Sequence, residues 1–247
     1  LDFSCALLDR AGYLVANAPH IPVHLGAMGV CARHLLELFP DLRPGDVLVS
    51  NHPAFGGSHL PDVTVLAPVF GTGDKPFCFL ANRAHHAEIG GVSPGSMPAG
   101  TSSLSEEGIV ISPRLLFEAG ESRMDQLGEL LRSSSHPSRQ PEQNLADLSA
   151  QVASLRKGIE GLDELVKAHG EDTLAEQMDA LREESSASCS RFIKEMGECE
   201  FSALQALDDG DRLALRVTVE KGRAIFDFSG TALARDDNLN ATEAIVT

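Results

Sequence analysis

Two polar clusters, set in otherwise apolar sequence, hold the residues that could do chemistry. The first is Asn51-His52-Pro53-Ala54-Phe55-Gly56-Gly57-Ser58-His59-Leu60-Pro61-Asp62. The second is Asn82-Arg83-Ala84-His85-His86-Ala87-Glu88-Ile89-Gly90-Gly91. Four of the nine histidines lie here, with carboxylates at Asp62 and Glu88. Neutral imidazole and carboxylate together suit Zn, Mn or Fe. An ion so held would polarise a carbonyl or activate water. His59-x-x-Asp62 sets two ligand types three apart, just before an apolar run. In the second cluster, strand alternation turns Arg83 and His85 one way and Asn82 and His86 the other. Only one of His85 and His86 is therefore expected to share a site with His59 and Asp62.

Other readings stand beside the metal. Any one of these histidines could be an ordinary hydrogen-bonded residue near a turn, and His20 and His24 read as structural. The pairs Gly56-Gly57 and Gly90-Gly91 could be turns, or could bring backbone N–H groups close to an anion. Ser50, Ser58 and Ser96 carry hydroxyls, but no Gly-x-Ser-x-Gly elbow frames them. No cysteine lies in either cluster.

The elements that position the clusters follow from periodicity. Residues 2–8 and 13–17 read as a hairpin around Asp9-Arg10-Ala11-Gly12. Pro19 and Pro22 predict an extended connector, followed by a helix over about 27–39 that ends at Pro40. Val47–Val49 is a short strand leading into the first cluster. Strands are expected over 62–70 and 76–84, with the second cluster at the end of the latter, and strand character returns over 109–117. From Pro141, Leu145, Leu148, Val152, Leu155, Ile159, Leu162 and Val166 repeat at three and four, an a/d seam of about three heptads. Gly170 fits a helix end, and a second helix follows, predicting an antiparallel helical hairpin. Arg212–Val219 and Ala224–Phe228 form a returning β-hairpin around Lys221-Gly222. The expected fold is mixed α and β (α+β). Its parts are a strand-rich 1–140 with the His/Asp clusters, a helical hairpin over 141–200, and 201–247, a β-hairpin and the start of a remainder.

The chain has 247 residues and a formal net charge of −16. So acidic a chain argues against nucleic-acid partners, which need a basic surface. Residues 171–209 carry eleven Asp/Glu against three Lys/Arg, read as a solvated acidic helix face. No apolar run approaches a membrane span of about 20 residues. Five scattered cysteines without a Cys-x-x-Cys pair fit a reducing, cytoplasmic setting. There is no Gly-x-x-x-x-Gly-Lys-Ser/Thr loop, so any nucleotide must be bound elsewhere. The first residues read as a strand under way and the last stop inside an apolar run, as in a piece of a longer protein.

Several long runs resemble the hydantoinase B/oxoprolinase family. They include Asp2-Phe3-Ser4-Cys5-Ala6-Leu7, Asn17-Ala18-Pro19-His20-Ile21-Pro22-Val23-His24, Gly45-Asp46-Val47-Leu48-Val49-Ser50-Asn51-His52-Pro53 and Gly56-Gly57-Ser58-His59-Leu60-Pro61-Asp62. His85-His86-Ala87-Glu88-Ile89-Gly90-Gly91, Pro94-Gly95-Ser96-Met97-Pro98, Asn144–Ala153 and Asp227-Phe228-Ser229-Gly230-Thr231 continue the match. Asn-Ala-Pro-His and Ser-Asn-His-Pro are closer to its ATP-dependent lactam hydrolases, the 5-oxoprolinases, than to its acetone or acetophenone carboxylases.

The resemblance implies a unit that works with a hydantoinase A-like partner, fused or separate. That partner binds ATP and phosphorylates a lactam or ketone oxygen. The unit resembled here completes the conversion, opening a small-molecule lactam by attack of water with a cluster His or carboxylate as base. It implies a divalent cofactor, Mn, Zn or Mg, with His59, Asp62 and His85 as metal candidates and His86 as the alternative to His85. His52, His86 and Glu88 are the acid–base candidates. Glu88 stands where the family commonly has Asp. An oligomer, no membrane and an isolated chain without ATP-dependent activity are expected. The alternatives are a carboxylase-type or hydantoinase subunit, and a non-catalytic assembly scaffold.

Overall fold

Alternating apolar residues give the early strands two distinct inner faces. The computed structural model, which describes residues 2–18 and 21–246, shows helices packed on both. In chain order the elements are β1 (Phe3–Asp9), β2 (Leu14–Asn17), α1 (His24–Leu38), β3 (Val47–Ser50), β4 (Asp62–Phe70), β5 (Pro76–His85), α2 (Leu104–Glu107), β6 (Arg114–Glu118), β7 (Glu121–Ser122) and α3 (Met124–Ser133). There follow α4 (Pro141–His169), α5 (Glu171–Met196), β8 (Cys199–Ala206), β9 (Arg212–Glu220), β10 (Arg223–Asp227) and α6 (Glu243–Val246). The fold is α+β, as expected. Contacts divide it into two units, Leu1–Asp179 with Asp237–Thr247, and Ala180–Asp236.

The first unit is built on a seven-stranded sheet in the order β2-β1-β5-β4-β3-β6-β7, antiparallel throughout. On one face, Ala6, Leu8, Leu48, Leu66, Phe79 and Ala81 pack against Met28, Cys31, Ala32 and Leu35 of α1. On the other, Val47, Val49, Val63, Val65 and Ala67 meet Leu127 and Leu131 of α3 and Leu148, Val152 and Leu155 of α4. Each large aliphatic side chain buried this way contributes about 1.5–3 kcal/mol. Over Leu148, Val152 and Leu155 the apolar seam of α4 thus lies on the sheet and α3, and further along Leu162 clusters with Met178 of α5.

Three other differences have physical causes. α1 starts at His24, three residues earlier than the prolines suggested. Pro22 precedes the helix, where a missing N–H removes no intrahelical bond. Strand pairing resumes only at Arg114, not at 109. Over 109–111 the Asn51 side chain takes the place of a ladder, donating to the Ile109 carbonyl and accepting from the Ile111 N–H. α3, which sequence periodicity did not single out, closes the core through Leu127 and Leu131.

In the second unit, β10-β9-β8 form an antiparallel sheet. Lys221 and Gly222 both take positive φ, 50° and 72°, as a two-residue hairpin turn requires. Arg235 pairs with both Asp209 and Asp211. Among the described residues no helix is long and apolar enough to cross a membrane.

Candidate metal centre

Strand register assembles the site. β4 begins at Asp62 and β5 ends at His85, and the two residues lie directly opposite each other. Thr64 lies opposite Arg83 in the same ladder. The period of two then places Asp62, Thr64, Arg83 and His85 on the face that carries α1. A turn closed by Asp62 N–H donating to the His59 carbonyl at 3.0 Å brings His59 over the start of β4. The preceding loop runs tight against α1. Gly56 has φ +81°, and a Cβ there would lie 2.4 Å from the Cys31 nitrogen, so only glycine fits.

Three donor atoms meet at this corner. Asp62 Oδ1 lies 3.0 Å from His59 Nε2 and 3.1 Å from His85 Nδ1. The two ring nitrogens are 3.2 Å apart. Such a triangle is close to what three donors give when each stands about 2.0–2.2 Å from a common centre. Two imidazoles and a carboxylate are also the donor set that borderline divalent ions favour. The residues therefore fit the ion that the sequence motifs implied. His59 and His85 are each 24% exposed and Asp62 3%, so the triangle is buried on the carboxylate side and open on the imidazole side. Burial alone would raise the Asp62 carboxyl. Hydrogen bonds from His24, His59 and Ser58, with the charge of His59, override it and hold the group well below the usual carboxylate range.

Asp62 and His59 each have a partner behind them. Asp62 Oδ2 accepts from Ser58 Oγ at 2.5 Å and lies 3.2 Å from His24 Nε2. His24 Nδ1 meets Ser4 Oγ at 3.0 Å. His59 Nδ1 meets Ser96 Oγ at 2.6 Å. Were Nε2 to serve an ion, the ring proton would sit on Nδ1 and Ser96 Oγ would accept it.

The other candidates lie elsewhere. His86 is fully buried on the α4 side, its Nε2 3.2 Å from Gln151 Oε1 and its Nδ1 3.2 Å from Asn144 Nδ2. Burial pushes its imidazole below the ordinary value. The strand alternation thus brings His85 to His59 and Asp62 and sends His86 away. Glu88 is not brought to the triangle either. Its Oε1 accepts from Ser138 Oγ and from the backbone N–H groups of Arg139 and Gln140, and its Oε2 from Gly90 N–H. Burial would raise its carboxyl, but these hydrogen bonds lower it on balance. His52 accepts from Ala54 N–H through Nδ1 and packs edge-on against Phe55, away from the triangle. Ser50 donates to the Ile111 carbonyl. His20 lies outside the described residues.

Over residues 1–247 the sequence matches the family described as Hydantoinase B/oxoprolinase. The chain belongs to this family. Within the Hydantoinase B/oxoprolinase family it is 42% identical to a 5-oxoprolinase of Saccharomyces cerevisiae and 40% to 5-oxoprolinase 1 of Arabidopsis thaliana, 99% of the chain being covered in each. It spans about a fifth of the length of these curated relatives, so it matches one part of a larger protein. The crystal structure of ATP-dependent caprolactamase from Pseudomonas jessenii has the same fold. Its TM-score is 0.89 at 23% identity, covering 99% of this chain and 42% of that one. Nucleotide-free acetone carboxylase superposes with a TM-score of 0.84 at 20% identity, covering 99% of this chain and 34% of that one.

Sequence reasoning overlooked how Asn144 and Gln151 serve this chain's fold. Asn144 donates to the Glu88 carbonyl at 2.8 Å. Gln151 donates to the Val63 carbonyl and to Asn82 Oδ1, both at 2.9 Å. The two are seven apart, two turns of helix, on the same side as Leu148, Val152 and Leu155. Polar residues at two positions of an apolar face were the available signal.

Proposed function

We propose that this chain is one part of an ATP-dependent cyclic-amide hydrolase of the 5-oxoprolinase kind. ATP is bound by a hydantoinase A-like unit, fused or separate, which phosphorylates the lactam oxygen. The present chain then serves ring opening to the amino acid, with 5-oxoproline as substrate and glutamate as product. The observation that carries this reading is the His59–Asp62–His85 triangle in a chain matched almost throughout to 5-oxoprolinases.

His59 Nε2, Asp62 Oδ1 and His85 Nδ1 would hold a divalent ion, Mn, Zn or Mg. When bound, such an ion supplies positive charge that polarises an oxygen and makes a water acidic. The rest of the work falls to side chains. Asp62, ionised throughout the neutral range, orients both imidazoles. Ser96 fixes the His59 tautomer. His86 and Glu88 act as positioning residues, tying β5 and the loop after it to the start of α4. The free cysteines fit a reducing compartment such as the cytoplasm.

The test is ATP-coupled hydrolysis of 5-oxoproline by the complete assembly. Caprolactam, and acetone with bicarbonate, serve as competing substrates. 5-Oxoproline is expected to be turned over fastest, and His59→Ala to abolish turnover. Faster reaction of acetone with bicarbonate would move the protein to the carboxylases. Full turnover in His59→Ala would leave the chain a scaffold. The isolated chain is expected to show no ATP-dependent turnover.

A further inference from the structure

Arg83 is fully buried, and among the described residues it forms no ion pair. A guanidinium stays charged in a protein, and an uncompensated buried charge is strongly unfavourable. Its Nε donates to Thr64 Oγ1 at 2.8 Å, and one terminal nitrogen to the Gly56 carbonyl at 2.8 Å. The other terminal nitrogen reaches Ser58 Oγ at 3.4 Å. Ser58 has a single hydroxyl proton, and it lies on the 2.5 Å contact to Asp62 Oδ2. The buried cation therefore meets the buried anion through one hydroxyl, which accepts from Arg83 and donates to Asp62.

This arrangement divides the two oxygens of Asp62. Oδ1 faces His59 and His85. Oδ2 is occupied by Ser58 on one side and by His24, itself held by Ser4, on the other. A carboxylate free to rotate can grip an ion with both oxygens, filling a position that a reacting molecule needs. We infer that Ser58, anchored by Arg83 and acting beside His24, is a positioning residue that holds Asp62 as a one-oxygen ligand and keeps the remaining positions of the ion open. The inference rests on the proposed ion at His59, Asp62 and His85, and names what governs its affinity and geometry. Alternation on β5 explains why the device is local, since Arg83 sits two residues before His85 on the same face.

The test uses the purified protein with Mn2+ in equilibrium titration and Co2+ for visible spectroscopy. Ser58→Ala removes the hydroxyl and is expected to weaken Mn2+ binding about 10–100-fold, the range for lost outer-shell partners. Its Co2+ spectrum is expected to change in intensity, because a carboxylate restrained only by His24 no longer presents one fixed oxygen to the ion. Ser58→Thr keeps a hydroxyl and is expected to restore both the affinity and the spectrum. A general loosening of the fold would lower affinity without that rescue, and a melting curve for each variant registers it. Wild-type affinity and an unchanged Co2+ spectrum in Ser58→Ala would overturn the inference alone. Failure of the wild-type protein to bind either ion would overturn it together with the proposed centre.

Discussion

The two faces of the end of β5 carry similar residues and put them to different uses. On the α1 side, His85 meets His59 and Asp62 in a triangle that is open to solvent through its imidazoles. On the α4 side, His86 meets Asn144 and Gln151, and both of its nitrogens are engaged inside the protein. Two adjacent histidines thus differ in what remains available to a ligand. Residue type is the same on both faces; convergence and exposure separate them, three donor atoms meeting at a solvent-open corner on one side and a sealed network on the other. A site for an ion needs donor atoms that converge where an ion can enter. A structural network needs every atom satisfied, since a polar group left unpaired in the interior costs about 1–3 kcal/mol.

Substitutions can break this contrast, and the largest effect belongs on the open face. Asp62→Ala removes the atom shared by both imidazoles. It is expected to weaken Mn2+ binding by more than about 100-fold, beyond the usual range for an outer-shell partner. Equilibrium titration measures it, and retained affinity would remove Asp62 from the ligand set.

On the closed face the loss should appear in stability. Gln151→Leu leaves Asn82, His86 and the Val63 carbonyl each short of a partner. A loss of about 3 kcal/mol is expected from denaturant unfolding, with Mn2+ affinity unchanged in the protein that remains folded. A drop in affinity with no loss of stability would show that this face belongs to the ion site.

Glu88→Gln is a smaller perturbation and depends on pH. The folded Glu88 carboxyl lies below its ordinary value of 4.5. Its contribution is therefore complete above that value and disappears as pH falls through the lower, folded one. Glu88→Gln is expected to lower stability by about 1–2 kcal/mol at pH 7, and the gap from wild type should narrow below about pH 4. Unfolding curves at the two pH values check it; a gap that widens on acidification would contradict the sign. The smallest effect is expected at His52, whose loss removes one local acceptor at a half-exposed turn. His52→Ala should change stability by about 0.5 kcal/mol and leave ion binding intact.

Much of this site is legible in the sequence because its geometry is local. His59 and Asp62 are three apart, and strand period two alone separates His85 from His86. Which strands pair, and in what register, is a long-range property. Asp62 opposite His85 cannot be read from spacing. His24 illustrates the limit. Two prolines nearby suggested an extended connector, yet α1 begins at His24 and points it at Asp62. Glu88 illustrates another. The family resemblance made this carboxylate an acid–base candidate, and residues 138–140, far away in sequence, supply its partners. The α4 seam was legible as an apolar stripe, whereas its partner, the sheet, depended on the whole topology. The polar pair Asn144 and Gln151 within that stripe marked where the helix meets the cluster.

The most direct measurement is an anomalous difference map from crystals grown with Mn2+. The account predicts a peak bounded by His59 Nε2, Asp62 Oδ1 and His85 Nδ1, with none at His86. No peak in that triangle, or one beside His86 and Asn144, would contradict it.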